Sequence, residues 1–142
     1  MVSFAQECAI LILDKVEIVA YWIDSADVDL SAMENLLEHG HFSWSLYVGH
    51  LVLEKLLKAC IVKSGLVKVP RTHDLLKLAG TAGLALDEGQ KDLLDEVTTF
   101  NLKARYPDYR QRFYRKATRE FAERNIEAIR GFRAWLLEQI KR

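Results

Sequence analysis

The sequence predicts an all-α protein, an antiparallel up-and-down bundle of four long helices plus one short helix. Three observations predict it. Apolar residues recur at three- and four-residue spacing along most of the 142 residues, the period of a helix with a buried face. Two prolines and seven glycines are few, whereas Leu, Ala, Glu, Lys and Arg, which favour helix, are plentiful. No segment alternates apolar and polar residues as a half-buried strand does, and no hairpin signal or internal repeat occurs.

The first helix is expected from about Phe4 to Glu38, continuous or broken once near its middle. Val16, Val19, Ala20, Ile23, Ala26, Leu30, Met33 and Leu37 make one apolar stripe, expected to be buried, and acids fill the other face. Gly40 ends it, because glycine tolerates the left-handed backbone of a helix C-terminus. The second helix, about Phe42 to Ser64, is apolar around nearly its whole circumference and should therefore be surrounded by protein. Gly49 inside it costs about 1 kcal/mol against alanine, a cost that close approach of a neighbouring helix would offset.

The loop from Gly65 to Asp74 leads into a short third helix near Asp74–Ala82, with Thr72 or Asp74 as its cap. A fourth helix follows Asp87 and buries Leu93, Leu94, Val97 and Phe100. Pro107 interrupts, since proline removes a backbone donor and collides with the preceding turn. The last helix is expected from about Arg112 to Ile140, with Phe121, Ala122, Asn125, Ile129, Phe132, Leu136 and Ile140 as its stripe.

A chain of this length is most simply one domain with one sizeable core. Cys8 and Cys60 lie far apart among apolar residues, as free buried thiols in a reducing compartment do. No segment has the roughly 20 apolar residues that a membrane-spanning helix needs, and the N-terminus lacks the basic start and cleavage site of a signal peptide. A soluble cytoplasmic protein without membrane contact is expected.

The formal net charge of zero hides a division. Residues 1–40 carry eight acids against Lys15 alone, whereas residues 103–119 carry seven bases against Asp108 alone. The basic stretch can present a local surface to an anion, or it can attract the acidic helix of the same chain or of a twin subunit.

Glu54, Lys55 and Lys58 interrupt the apolar second helix, and an unpaired charge there is costly to bury. Glu54 and Lys58 stand four apart, the spacing at which they pair. The three charges either solvate a strip of the helix or line a cleft where a lysine meets a phosphate or an acidic partner. Arg71 and His73 cannot share a helix face, but a loop can converge them, and His73-Asp74 precedes a helix start, which attracts anions. The alternative is a helix cap beside a hydrogen-bonded histidine.

From Lys103 to Lys116, Tyr106, Tyr109, Phe113 and Tyr114 are interleaved with arginines, the phosphate and base contacts of single-strand RNA binding. Tyrosines at helix ends and subunit contacts give the same pattern. His39, His41 and His50 have no metal-ligand spacing, so neither metal nor cofactor is expected. Phosphate-cradling glycine loops, a Ser-His-Asp order and paired catalytic carboxylates are absent as patterns.

Four segments stand in order: Tyr21-Trp22-Ile23 through Asp29-Leu30 and Leu36 to Gly40; Glu54-Lys55-Leu56-Leu57-Lys58-Ala59; Pro70-Arg71-Thr72-His73-Asp74-Leu75; and Ala104-Arg105-Tyr106-Pro107-Asp108. Together they resemble the motifs of HEPN domains. The resemblance covers about residues 18–110, and the final helix is consistent with it. It divides the chain into a helical extension, residues 1–15, and a HEPN-like bundle, residues 16–142.

The resemblance implies a homodimer, often paired with a minimal nucleotidyltransferase in a toxin–antitoxin-type system. Many HEPN proteins are metal-independent ribonucleases marked by Arg, four to six residues, then His, near the start of the last long helix. Arg105, Arg110 and Arg112 stand at about that place, but no histidine follows residue 73, which removes the obvious group for proton transfer. The expectation is therefore a non-catalytic nucleotide- or RNA-binding module. Its candidate contacts are Glu54, Lys55, Lys58, Arg71, His73, Arg105, Tyr106, Asp108 and Arg110. The alternative is a metal-independent endoribonuclease toxin whose atypical site draws His73 in from the loop.

Overall fold

A computed structural model describes residues 4–65 and 68–142, with side chains from Asp14 onward. Among the described residues there are six helices and no strand: α1 Phe4–Glu38, α2 Phe42–Lys63, α3 Leu75–Thr81, α4 Glu88–Arg105, α5 Pro107–Lys116 and α6 Arg119–Lys141. The fold is all-helical, as the sequence predicts, but the count of five is corrected to six. None of the described helices is long and apolar enough to cross a membrane.

Helix α2 is the hub, packing against α1, α3, α4 and α6. Leu46, Val52, Leu53, Leu56, Leu57 and Ile61 are completely buried, so the helix that is apolar all round does have protein around it. Gly49 is where the closest packing occurs. A Cβ built there would lie 2.8 Å from Ile129 Cδ1 of α6 and 3.2 Å from Met33 Sδ of α1. The missing methyl lets both helices approach α2 at one level.

The first helix is continuous, so the expected boundary at residues 15–16 falls inside one helix. Gly40 turns the chain with φ 81°, and α2 runs back antiparallel. Ser45 Oγ donates to the Met33 carbonyl, and Lys55 meets Asp29 farther along the hairpin. The stripe expected along α1 needs correction at its start. Ala26 and Met33 are buried, but Val16 is 61% exposed and Ala20 is also exposed. Helix α1 has 35 residues and α2 only 22; with Lys58 beside Trp22, α2 ends near the level of Val16, whereas Ala20 simply faces away from it.

Helix α6 closes the other side of α2 with Ala122, Ile126, Ile129 and Leu136. Arg130 holds both carboxylate oxygens of Glu34 at 2.8 and 2.7 Å, tying α6 to α1. That fork holds the Glu34 carboxyl below its ordinary range.

The expected last helix is in fact two. Pro107 occupies the first turn of α5, where its missing N–H is no loss. The chain then leaves helical geometry at Ala117, and Thr118 accepts from the Phe121 N–H to start α6. Phe113 of α5 turns inward and stacks on Phe100 of α4 at 5.4 Å. Asp74 caps α3 through the Lys77 N–H. Asp87 and Gln90 form a reciprocal capping box on α4.

Cys60 is a free buried thiol whose pKa burial raises to about 11; the side chain of Cys8 lies outside the described residues, as do Leu66 and Val67 of the loop.

Candidate functional site

His50, Glu54 and Lys58 follow one another at four-residue intervals on α2 and form a polar stripe in its apolar surface. Glu54 is 5% exposed, so the charge does not solvate a strip of the helix. Both carboxylate oxygens have partners. Oε1 lies 2.6 Å from His73 Nδ1, and Oε2 lies 3.5 Å from Lys58 Nζ. Lys58 also sits 5.3 Å from the centre of the Trp22 ring of α1, a second stabilising contact for its charge.

His73 arrives from the loop between α2 and α3. Its backbone carbonyl accepts from Nε2–H of the completely buried His50 at 2.8 Å. A carbonyl only accepts, so His50 Nε2 carries the proton. The neutral ring then offers its Nδ1 as an acceptor to Asn101 Nδ2 on α4, at 3.5 Å. Asn101 in turn accepts from Arg105 Nη1 through Oδ1, at 3.3 Å. The directions agree along the whole run from Arg105 to Asn101, His50 and the His73 backbone. It joins the end of α4 to the loop through the centre of the molecule.

Burial, the largest effect on His50, lowers its pKa. The unfolded chain therefore takes up a proton as pH falls below about 6.5, while the folded ring resists it. His50 favours the folded state above that pH, and the advantage is lost as pH drops toward the depressed folded value. Urea unfolding at neutral and mildly acidic pH is expected to show a larger loss of stability on acidification for wild type than for His50→Gln. Glutamine keeps a donor for the His73 carbonyl and does not titrate. Equal losses in the two proteins would remove His50 from the account.

The structure brings Glu54, Lys58, His73 and Arg105 of the expected set into one connected region. It takes Lys55 elsewhere, 2.6 Å from Asp29 on α1. Arg71 is exposed and lines a shallow depression with Lys68, Val69 and Pro70. No hydrogen bond joins Arg71 to His73 among the described residues, so the loop does not converge the two. Tyr106, Asp108 and Arg110 are exposed at the start of α5, and the Arg105 guanidinium lies 6.0 Å from the Tyr106 ring centre.

His50 and Asn101 are the two participants that the sequence reading missed. Their signal was spacing, because each stands four residues before a charged residue of the site on the same helix. Among the described residues no three His, Cys, Asp or Glu side chains are grouped to hold a metal ion.

The arrangement gives a half-exposed imidazole, oriented through Nδ1 by a buried carboxylate, with Nε2 left for a ligand. The Arg105 guanidinium is held at the other end of the same network. An exposed guanidinium can take a phosphate oxygen, and a carboxylate-oriented imidazole can hold an anion or move a proton. A family model described as HEPN domain matches residues 19–140. No curated protein and no solved structure matches the chain.

Proposed function

The chain belongs to the HEPN family, and from that premise we propose that it is a non-catalytic homodimeric module that binds RNA or nucleotide in the cytoplasm. It acts beside a minimal nucleotidyltransferase in a toxin–antitoxin-type pair. The observation that supports this reading best is the hydrogen-bonded run that ties Arg105 to the His73 loop. Arg105 takes a phosphate oxygen and Arg110 a second one, Tyr106 offers an exposed face for a base, and His73 contacts the ligand through Nε2. Lys58 balances the buried Glu54 carboxylate. No histidine follows Arg105 in this chain, which is why the reading is binding without turnover.

The test is binding of a labelled single-stranded RNA and a labelled nucleotide. Arg105→Ala/Arg110→Ala is expected to weaken binding by about a hundredfold, the loss of two phosphate contacts. Unchanged affinity would sink the assignment.

One observation favours the endoribonuclease as a second reading. The 2.6 Å contact between His73 and buried Glu54 resembles the way general bases are held. The same incubation, run in chelator and resolved on a gel, decides it. RNA cleaved by wild type but not by His73→Ala supports the second reading, and intact RNA removes it.

A further inference from the structure

Two charged stripes on the surface take no part in the network. On α1, Asp14, Glu17, Tyr21, Asp24 and Val28 alternate three- and four-residue spacing and so line one face. All five are exposed, with Tyr21 at 63% and Val28 at 70%. Among the described residues none of the three acids has an ion-pair partner, although Asp27 and Glu34 on the same helix are taken by arginines of α6. On α5, Tyr109, Arg112 and Lys116 repeat the spacing, all exposed, with no carboxylate in ion-pair range among the described residues. One stripe is acidic, with a tyrosine between the charges and a valine at its end. The other is basic and headed by a tyrosine.

We propose that these stripes are the two sides of one contact between copies of this chain: α1 of one copy lies along α5 of the other, and a two-fold axis repeats the contact in reverse. A symmetric dimer requires that if one surface meets another, the same pair meets again across the axis, and one chain carries both complements. Tyr21, Val28 and Tyr109 supply the contact's apolar part, and opposite charges set its register. Zero net charge leaves no long-range repulsion between copies. Because α5 begins just beyond Arg105, the neighbour's α1 borders the ligand site.

The proposal rests on the homodimer reading above and names its surface. It is tested on the full chain by light scattering after gel filtration, at low and high salt, with Glu17→Arg/Asp24→Arg and Arg112→Glu/Lys116→Glu. Wild type is expected to be a dimer that weakens as salt rises. Each reversed variant is expected to raise the dissociation constant by at least about tenfold. Mixing the two variants is expected to restore a dimer with one copy of each, since both contacts become attractive again.

A monomeric wild type overturns the homodimer reading and the surface together. A wild-type dimer whose variants remain dimeric overturns the surface alone, and so do variants that separate but fail to pair when mixed. If Arg112→Glu/Lys116→Glu loses a labelled single-stranded RNA and stays dimeric, this flank of α5 faces nucleic acid and the proposal fails.

Discussion

Gly49→Leu is expected to lower the unfolding free energy by about 3 kcal/mol or more, enough to unfold a marginal domain at physiological temperature. The expectation comes from the position of this residue between two helices. A bare Cβ would already lie 2.8 Å from Ile129 Cδ1, 3.2 Å from Met33 Sδ and 3.5 Å from Ile126 Cδ1. Met33, Ile126 and Ile129 are completely buried, so each has packed neighbours behind it. A leucine would therefore have to part α1 and α6 from α2 together. Gly49→Ala tests the same place gently. Its gain in helix propensity of about 1 kcal/mol opposes the displacement of one methyl group, and the two should nearly cancel. Urea unfolding of the three proteins, followed by circular dichroism, gives the comparison. A Leu variant as stable as wild type would mean that the junction of α1, α2 and α6 has room the packing does not show.

That junction was legible in the sequence because glycine inside an apolar helix is anomalous in a way that packing resolves. The caps at Asp74 and Thr118 differ in this respect. Asp74 follows a proline-containing loop and so marks a start. Thr118 lies in Lys-Ala-Thr-Arg-Glu, with no glycine or proline, and with Phe121 where a capping box would have Glu or Gln. The division between α5 and α6 was therefore invisible.

The error at Val16 has another cause. Periodicity identifies which residues share a face, but whether that face is covered depends on the length of the helix opposite, which α1 alone does not encode. The site was legible in part for a similar reason. Charges in an apolar helix are conspicuous, so Glu54, Lys58 and the His73 loop drew attention. His50 and Asn101 did not, because a histidine and an asparagine each four residues before a charge are unremarkable until the His73 carbonyl that orients the His50 ring toward Asn101 is seen.

The second large effect concerns that charged stripe, and here a double substitution should do less harm than one of its components. Lys58→Met is expected to cost about 2–3 kcal/mol, because it leaves the Glu54 carboxylate 5% exposed with only His73 to balance it. Glu54→Leu/Lys58→Met removes both charges and fills their space with apolar side chains of similar size. His73, half exposed, can turn to water when Glu54 is gone. The double variant should be at least as stable as Lys58→Met, so the two changes fail to add.

Additive losses in the unfolding cycle would mean that the 3.5 Å contact carries no coupling and that the carboxylate is stabilised in some other way. If the double variant folds well and yet binds the labelled RNA or nucleotide poorly, stability is not what the charges provide. Glu54 would then be present to aim the His73 ring, and Lys58 to make a buried carboxylate tolerable in the one helix that the rest of the protein surrounds.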